Sequence, residues 1–300
     1  MRIYGRKLWM TSICIAIVLF ATNATTYSLK DSQVSAVETA KEETTTVTNN
    51  NGRNVSEQKG KKTQQVKKSS KTQQDKINVE LYKKNGKKYC KVNGKKAKSQ
   101  IVQGKYHAYI TDKNGAVIKG WTKYKGAYYC LNRGNGRMYK RAKVDGIKLK
   151  KDGKAKTTKA AVAKIKTMMK AKKVVDKITK ITDTKSQKVK KCFDWIAKAP
   201  YVRYRMLKPI YKNQGWEVAF ANDIFDKGNG CCVSESSALA FMLHEVGYKK
   251  VYVCHDTSHA WVELNGLVYD ALFARAKDWN KYYACTYKTF GLHAVGKRMI

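Results

Sequence analysis

Turn glycines recur along the middle of the chain at nearly equal intervals, and this spacing constrains the fold more than any other feature. Segments opening at Gly86 (GKKYCKVNGKKAK), Gly104 (GKYHAYITDKNGAVIKGW), Gly126 (GAYYCLNRGNGRMYK) and Gly146 (GIKLKKDGKAK) start 18, 22 and 20 residues apart. Each holds a second turn glycine, at Gly94, Gly115, Gly136 and Gly153. Short aromatic or β-branched runs stand between the glycines, the pattern of β-hairpins. Units repeating at a fixed period bury their faces on one another, so residues 77–156 read as an all-β stack of hairpins.

The texture then changes. From about Thr157, apolar residues at Ala161, Ile165, Met168, Met169, Val174 and Val175 fall three and four apart in a lysine-rich background, which predicts an amphipathic helix with a solvated basic face. A second helix is expected over Ile178–Lys198, capped by Asp183 or Thr184 and stopped by Pro200, with a short third over Trp216–Phe225. Gly230-Cys231-Cys232 opens a strong helical pattern with Ala238, Leu239, Met242, Leu243 and Val246 on one face and Gly247 as its stop. Strands follow at Val251–Cys254, Ala260–Leu264 and Leu267–Ala271, the last two joined by Asn265-Gly266.

Charge is distributed unevenly. The 300 residues carry 62 Lys plus Arg against 22 Asp plus Glu, a net +40, far beyond what solubility needs. The first two hundred hold 49 basic and 13 acidic residues, and the last hundred 13 and 9. The chain is built to meet a polyanion.

Arg2, Arg6 and Lys7 precede an apolar run from Leu8 to Phe20, with small residues at Thr22 and Ala24, the order of a secretory signal peptide over 1–24. The run is shorter than the roughly 20 residues that span a bilayer, so no transmembrane span is expected in the mature form. Cleavage fits after Ala24, with Ala36 a second site. Residues 25–76, rich in Thr, Asn, Gln, Ser and Lys, cannot bury enough surface to order themselves and read as a disordered basic linker. A secreted or cell-wall-associated protein has an anionic envelope, wall polymer or peptidoglycan, as its partner. No specific nucleic acid is expected, since the chain holds no zinc-finger spacing, RNP-like segment or basic zipper.

The hairpin block resembles the cell-wall-binding or choline-binding-like repeats of secreted bacterial proteins, units of the type GW-x4-G-x-x-YY, best matched from Gly120-Trp121 through Gly126 to Tyr128-Tyr129. The resemblance implies wall-ligand contacts at Trp121, Tyr124, Tyr128 and Tyr129. The block departs from the pattern in having a single Trp and lysines at many strand positions, and a small basic β-domain packing on its neighbour is the other reading.

The last third holds the chemistry. A cysteine at a glycine-preceded helix start gains from the helix dipole and free N–H groups, which stabilise a thiolate and can hold an oxyanion. His259 opens one strand of the following hairpin and Asp270 lies on the next, so strand pairing would supply a base and an orienting carboxylate. The string Gly-x-Cys-x14-Gly, His-Ala-Trp-Val-Glu, a turn glycine and an Asp eleven residues past the His resembles the transglutaminase-like superfamily of papain-related thiol enzymes, with VKKCFDWIAKAPY as its lead-in helix. The resemblance covers Thr182–Tyr287. It implies an α+β fold in which the Cys-bearing helix packs on an antiparallel sheet carrying His and Asp, within a domain over 157–300.

Residue by residue, Gly230 two before and Gly247 fifteen after select Cys232 over Cys231 as nucleophile, with His259 as base and Asp270 as orienting carboxylate. Trp216 or Gln214 is placed as an oxyanion donor. The implied reaction is acyl transfer from a peptide or protein substrate through a thioester, hydrolysis (peptidase or amidase) favoured over crosslinking, with neither cofactor nor metal. The alternatives are a non-catalytic wall-binding protein on the same scaffold and a zinc site from Cys231, Cys232, Cys254 and His259. Without Cys14 seven cysteines remain, an odd number that leaves a free thiol. Cys90 and Cys130 occupy equivalent repeat positions where a bridge is open to them, and Cys192 and Cys254 read as structural thiols or disulfide halves. His107, His244 and His293 have no partner in the sequence and read as ordinary surface or packing residues.

Overall fold

Asn85-Gly86, Lys125-Gly126 and Asp145-Gly146 each place both residues at positive φ, between 43° and 81°, the twist a two-residue hairpin turn requires. The computed structural model describes residues 78–207 and 213–300, all within the unit Lys71–Ile300. The signal segment and the linker expected over 1–76 lie outside the described residues. The architecture is mixed α+β, with small antiparallel sheets and several helices.

The hairpin block runs β1 (Val79–Lys84), β2 (Lys87–Val92), β3 (Lys95–Lys96), β4 (Ile101–Gln103), β5 (Ala108–Ile110), β6 (Gly120–Tyr124), β7 (Ala127–Leu131), β8 (Lys143–Val144) and β9 (Ile147–Lys148). Its units stack through a repeating bond: Val117 N–H donates to Lys88 O, Met138 to Ala108 O and Ala155 to Tyr128 O, all at 2.8 Å. The second turn glycines are where each unit approaches its predecessor. A Cβ at Gly115 would lie 2.9 Å from Ala97 O, one at Gly136 2.4 Å from Val117, and one at Gly153 2.6 Å from Met138. Gly104 differs from the other openers: it has no positive φ, because β4 and β5 are joined by a longer loop closed by Gly104 N–H on His107 O at 2.9 Å.

The helical part begins with α1 (Lys159–Ile178), capped by the Thr158 hydroxyl on Ala161 N–H. The second helix is shorter than its apolar pattern. α2 covers Lys185–Ile196, because Thr184 and Gln187 form a reciprocal capping box that starts the helix there, and residues 179–184 become the connection. α3 (Trp216–Asn222) runs into a wide π-type turn, Asp223–Lys227. α4 (Cys232–Val246) ends on Gly247 at φ 109°. The remainder is β10 (Val251–His255), β11 (Ala260–Leu264), β12 (Leu267–Tyr269), α5 (Ala271–Ala276), α6 (Tyr287–Phe290) and β13 (Gly296–Met299).

α4 is the central element, with α1, α2 and α3 packed around it and β10 and β11 against it. The sequence pattern gave it one apolar face, yet Ser234, Glu235, Ser236 and Ser237 are buried as well. Small side chains let neighbouring helices approach from every side. The sheet order is β12-β11-β10-β13, antiparallel throughout. β13, which carries no strand-like alternation of apolar residues, owes its form to pairing with β10.

Trp121, Tyr128, Cys130, Ile147 and Leu149 of the hairpins share one apolar core with the helices and the four-stranded sheet. Cys90 belongs to a separate cluster with Ala97, Val102, Tyr109 and Val117, so it is remote from Cys130 and no bridge forms. Cys192 and Cys254 are likewise free buried thiols, not disulfide halves.

Candidate functional site

The loop Asp256–Ser258 sets His259 in place. Asp256 Oδ1 accepts from the backbone N–H groups of Ser258 (2.7 Å) and His259 (2.6 Å), turning the chain into β11 with the imidazole at its mouth. His259 Nε2 lies 2.5 Å from Asp270 Oδ2. Asp270 is not on a strand as the sequence pattern had it. β12 stops at Tyr269, and Asp270 is the N-cap of α5, its Oδ1 accepting from Phe273 N–H at 2.9 Å. One carboxylate thus holds both a helix start and an imidazole. Phe273, one turn into α5, stacks on the His259 ring with centroids 4.1 Å apart and planes 9° apart, and Lys277 covers the Phe273 ring.

The thiols stand at the other wall. Cys231 is the N-cap of α4 and Cys232 its first residue; both are buried, 1% and 3% exposed. Gly230 reaches this point by bonding to Pro200 O, and Val202 N–H returns to Gly230 O. A Cβ at Gly230 would lie 2.4 Å from Ser234, so only glycine fits beneath the helix start. Cys232 Sγ accepts the backbone N–H of Ala260, the residue after His259. Cys231 Sγ takes a hydrogen bond from the Cys232 thiol and from the N–H groups of Val233 and Ser234, which pull its thiol pKa down in spite of burial. Cys232 donates that bond and is buried, which pushes its thiol up. The sequence spacing selects Cys232, whereas the N–H groups at the start of α4 favour a thiolate at Cys231.

Two buried ion pairs, neither visible in the sequence, brace the site. Arg205 grips Asp223 with both terminal nitrogens, at 2.5 and 2.9 Å, while Asp223 accepts from the Ser234 hydroxyl at 3.0 Å. Arg275 of α5 donates to Glu235 of α4 at 2.9 Å and to the carbonyls of Ala197 and Ala199 beyond α2, at 3.1 and 2.6 Å. It joins the helix that starts at the thiols to the one that starts at Asp270. Burial pushes the Glu235 carboxyl up to about 7 against the pull of Arg275. Glu263 of the His-Ala-Trp-Val-Glu string is structural, taking hydrogen bonds from Tyr287 and Lys297, both at 2.6 Å, while Trp261 donates to Tyr287 at 3.2 Å.

Gln214 is exposed before α3, and Trp216 is buried with its ring 6.3 Å from those of Phe220 and His255. Cys254 contacts Glu263 and Tyr287, and among the described residues no group of three His, Cys, Asp or Glu side chains is disposed to hold a metal.

The aromatic residues assigned to a wall ligand divide. Trp121 is 2% exposed, its indole N–H on Asp145 at 2.7 Å, so it is a packing residue, whereas Tyr128 packs in the same core and also borders an open cleft of about 260 Å³. Tyr129 is buried in a hairpin cluster and shows one side to an open cleft of about 500 Å³ shared with Gln100, Ile101, Tyr124, Lys125 and Lys154. His244, expected as an ordinary residue, is buried between Asp145 (2.9 Å from Nε2) and Tyr248 O (3.0 Å from Nδ1).

No family model matches the chain, and no curated protein is similar to it. Solved structures are similar to about a quarter of it. They include CbpF in complex with ipratropium (18% identity, 27% of this chain and 26% of that one, TM-score 0.25) and the choline binding domain of Spr1274 in Streptococcus pneumoniae (23%, 26% and 93%, 0.24). The modular Cpl-1 endolysin complexed with a peptidoglycan analogue is similar at 18% identity over 27% of this chain and 25% of that one, TM-score 0.25. The chain spans about a quarter of the length of CbpF and of the endolysin, and at these TM-scores the likeness carries no functional argument. Among the described residues no helix is long and apolar enough to cross a membrane.

Proposed function

We propose that the chain is a secreted thiol enzyme of the transglutaminase-like kind, held at the cell envelope by its basic first two hundred residues, that cleaves amide or peptide bonds through an acyl-thioester. The observation supporting this most is the His259–Asp270 hydrogen bond of 2.5 Å, on a strand whose next residue, Ala260, donates to Cys232. With Nε2 on the carboxylate, Nδ1 is the nitrogen left to take the thiol proton. The Cys232 sulfur attacks the carbonyl carbon, its proton passes to Nδ1, and Asp270 stabilises the imidazolium. Collapse of the tetrahedral adduct breaks the C–N bond, and the amine leaves with the proton from His259. Water, deprotonated by His259, then releases the acid and restores the thiol. Cys231, at the N–H groups of α4 and 3.7 Å from the Ser234 hydroxyl, lies beside the attacking sulfur without taking its place. Hydrolysis is favoured over transfer to lysine.

Labelling the folded protein with an iodoacetamide probe, with and without candidate peptide substrates, tests the reading. Substrate-protected labelling at Cys232 supports it; equal labelling of all cysteines, unaffected by any peptide, defeats it.

The burial of both thiols favours a second reading, a non-catalytic envelope-binding protein on the same scaffold. Co-sedimentation of Cys232→Ala with purified walls, together with an unchanged cellular phenotype, is the outcome it requires.

A further inference from the structure

A seam between the hairpin block and the helices gathers cations from four parts of the fold. Lys83 of β1, Lys88 of β2, Lys172 of α1 and Lys188 of α2 all act on Lys119, which precedes β6. Lys119 is exposed, and partial desolvation together with these four charges lowers its pKa. Packing fixes the convergence. The position next to Lys119 is Gly120, where a Cβ would lie 3.6 Å from Lys172 Cδ, and Gly86 abuts Ile181 in the α1–α2 connection. Lys88 Nζ is pinned to Asn135 O at 3.0 Å. The nearby carboxylates are occupied: Asp176 pairs with Lys172 at 2.6 Å and Glu245 with Arg133 at 2.7 Å.

We infer that the Lys83–Lys88–Lys119–Lys172–Lys188 seam, where Lys83 faces Lys88 across β1–β2 and Lys88 O takes the Val117 N–H two residues from Lys119, is a seat for a phosphodiester polymer of the envelope, such as a polyol phosphate. The inference rests on the envelope reading above and deepens it. Successive phosphates on a flexible polyol backbone lie across the seam and meet a cluster in which five ammonium groups share the single carboxylate of Asp176.

The test is calorimetric titration of the full chain with poly(glycerol phosphate) at a series of salt concentrations, beside co-sedimentation with purified walls. Lys119→Gln combined with Lys188→Gln is compared with Lys249→Gln combined with Lys250→Gln, two exposed lysines in the turn after α4. The seam pair is expected to lose at least tenfold in affinity and to make the salt dependence shallower by roughly 1.4 in log–log slope; the control pair loses less than threefold. Free choline does not compete. Equal losses in the two variants, competition by choline, or single-stranded DNA of equal phosphate number binding tenfold tighter than the polyol polymer would each overturn the seat. If the native chain sediments with walls while both variants behave alike, the seat fails and the envelope reading stands; if the native chain does not sediment at all, that reading fails too.

Discussion

His244 Nε2 lies 2.9 Å from Asp145 Oδ1, joining the helix that begins at the thiols to the last hairpin turn, 99 residues away in the chain. Asp145 also takes the Trp121 indole N–H at 2.7 Å and Arg133 at 3.1 Å, and Arg133 continues to Glu245. Burial would raise the Asp145 carboxyl, but His244, Arg133 and Trp121 together hold it well below the usual carboxylate range. Breaking such a buried pair costs about 3–5 kcal/mol. Asp145→Ala should lower the melting temperature by roughly 6–20 °C for a unit of this size, and hairpin and helix signals should melt together. Because the folded pKa is depressed, this contribution is present above the unfolded value of 3.8 and is lost as pH falls below it. Two separate transitions in calorimetry would refute the coupling.

Cys232→Ala should abolish turnover of a peptide substrate, whereas Cys231→Ala retains most of the maximal rate and shifts its pH dependence, because the neighbouring thiol that raises the Cys232 pKa is gone. Mass mapping of the acyl-enzyme trapped at low pH decides between the sulfurs. Acylation of Cys231 would reverse their roles.

Asp270→Asn keeps a good helix cap, since Asn serves as well as Asp at that position, but presents an amide to His259. Turnover should fall on the order of a thousandfold or more, while the chain stays folded and loses about 1–3 kcal/mol of stability from the weakened buried bond to His259. A loss of less than tenfold would remove Asp270 from the machinery.

Glu235 has its folded pKa raised from 4.5 to about 7. Between those values the folded chain keeps a proton that the unfolded chain has released, so stability declines as pH rises through the window, by on the order of 3 kcal/mol. Glu235→Gln should flatten that decline, read from urea midpoints at pH 5 and pH 8. An unchanged slope would mean that Arg275 keeps the carboxylate ionised throughout.

Trp121→Ala should destabilise the fold by about 3–5 kcal/mol, and Tyr124→Ala, at the rim of the open cleft, by less than about 1 kcal/mol. Comparing both melts with wall sedimentation separates packing from binding. Weakened sedimentation of a fully stable Trp121→Ala would restore that residue as a ligand contact.

Periodic and glycine-punctuated features could be read from the sequence, because local backbone preference dictates them. The Gly86 and Gly126 turns, the Thr184 cap and the stop at Gly247 all belong here. The spacing from Gly230 to Asp270 also led to residues that do meet, His259 and Asp270. What escaped was long-range and polar. Arg275 reaches Glu235 from 40 residues away and His244 reaches Asp145 from 99, and no local pattern marks either pair. Trp121 was misread because an aromatic in a repeat looks the same whether it faces a ligand or the next layer. Asp270 was placed on a strand because Tyr269 and Ala271 continue the apolar run, while its cap on Phe273 is a three-dimensional fact.

β13 has a consequence for how the molecule comes together. Until Gly296–Met299 arrive, β10 is an open edge with Val251 and Val253 on it, and such an edge pairs with any strand on offer. The sheet beside the thiols is therefore sealed by a strand that the chain supplies only after every group of the site has been laid down. A chain cut short before Gly296 would carry every chemical group of the site and still be a sticky, self-associating fragment.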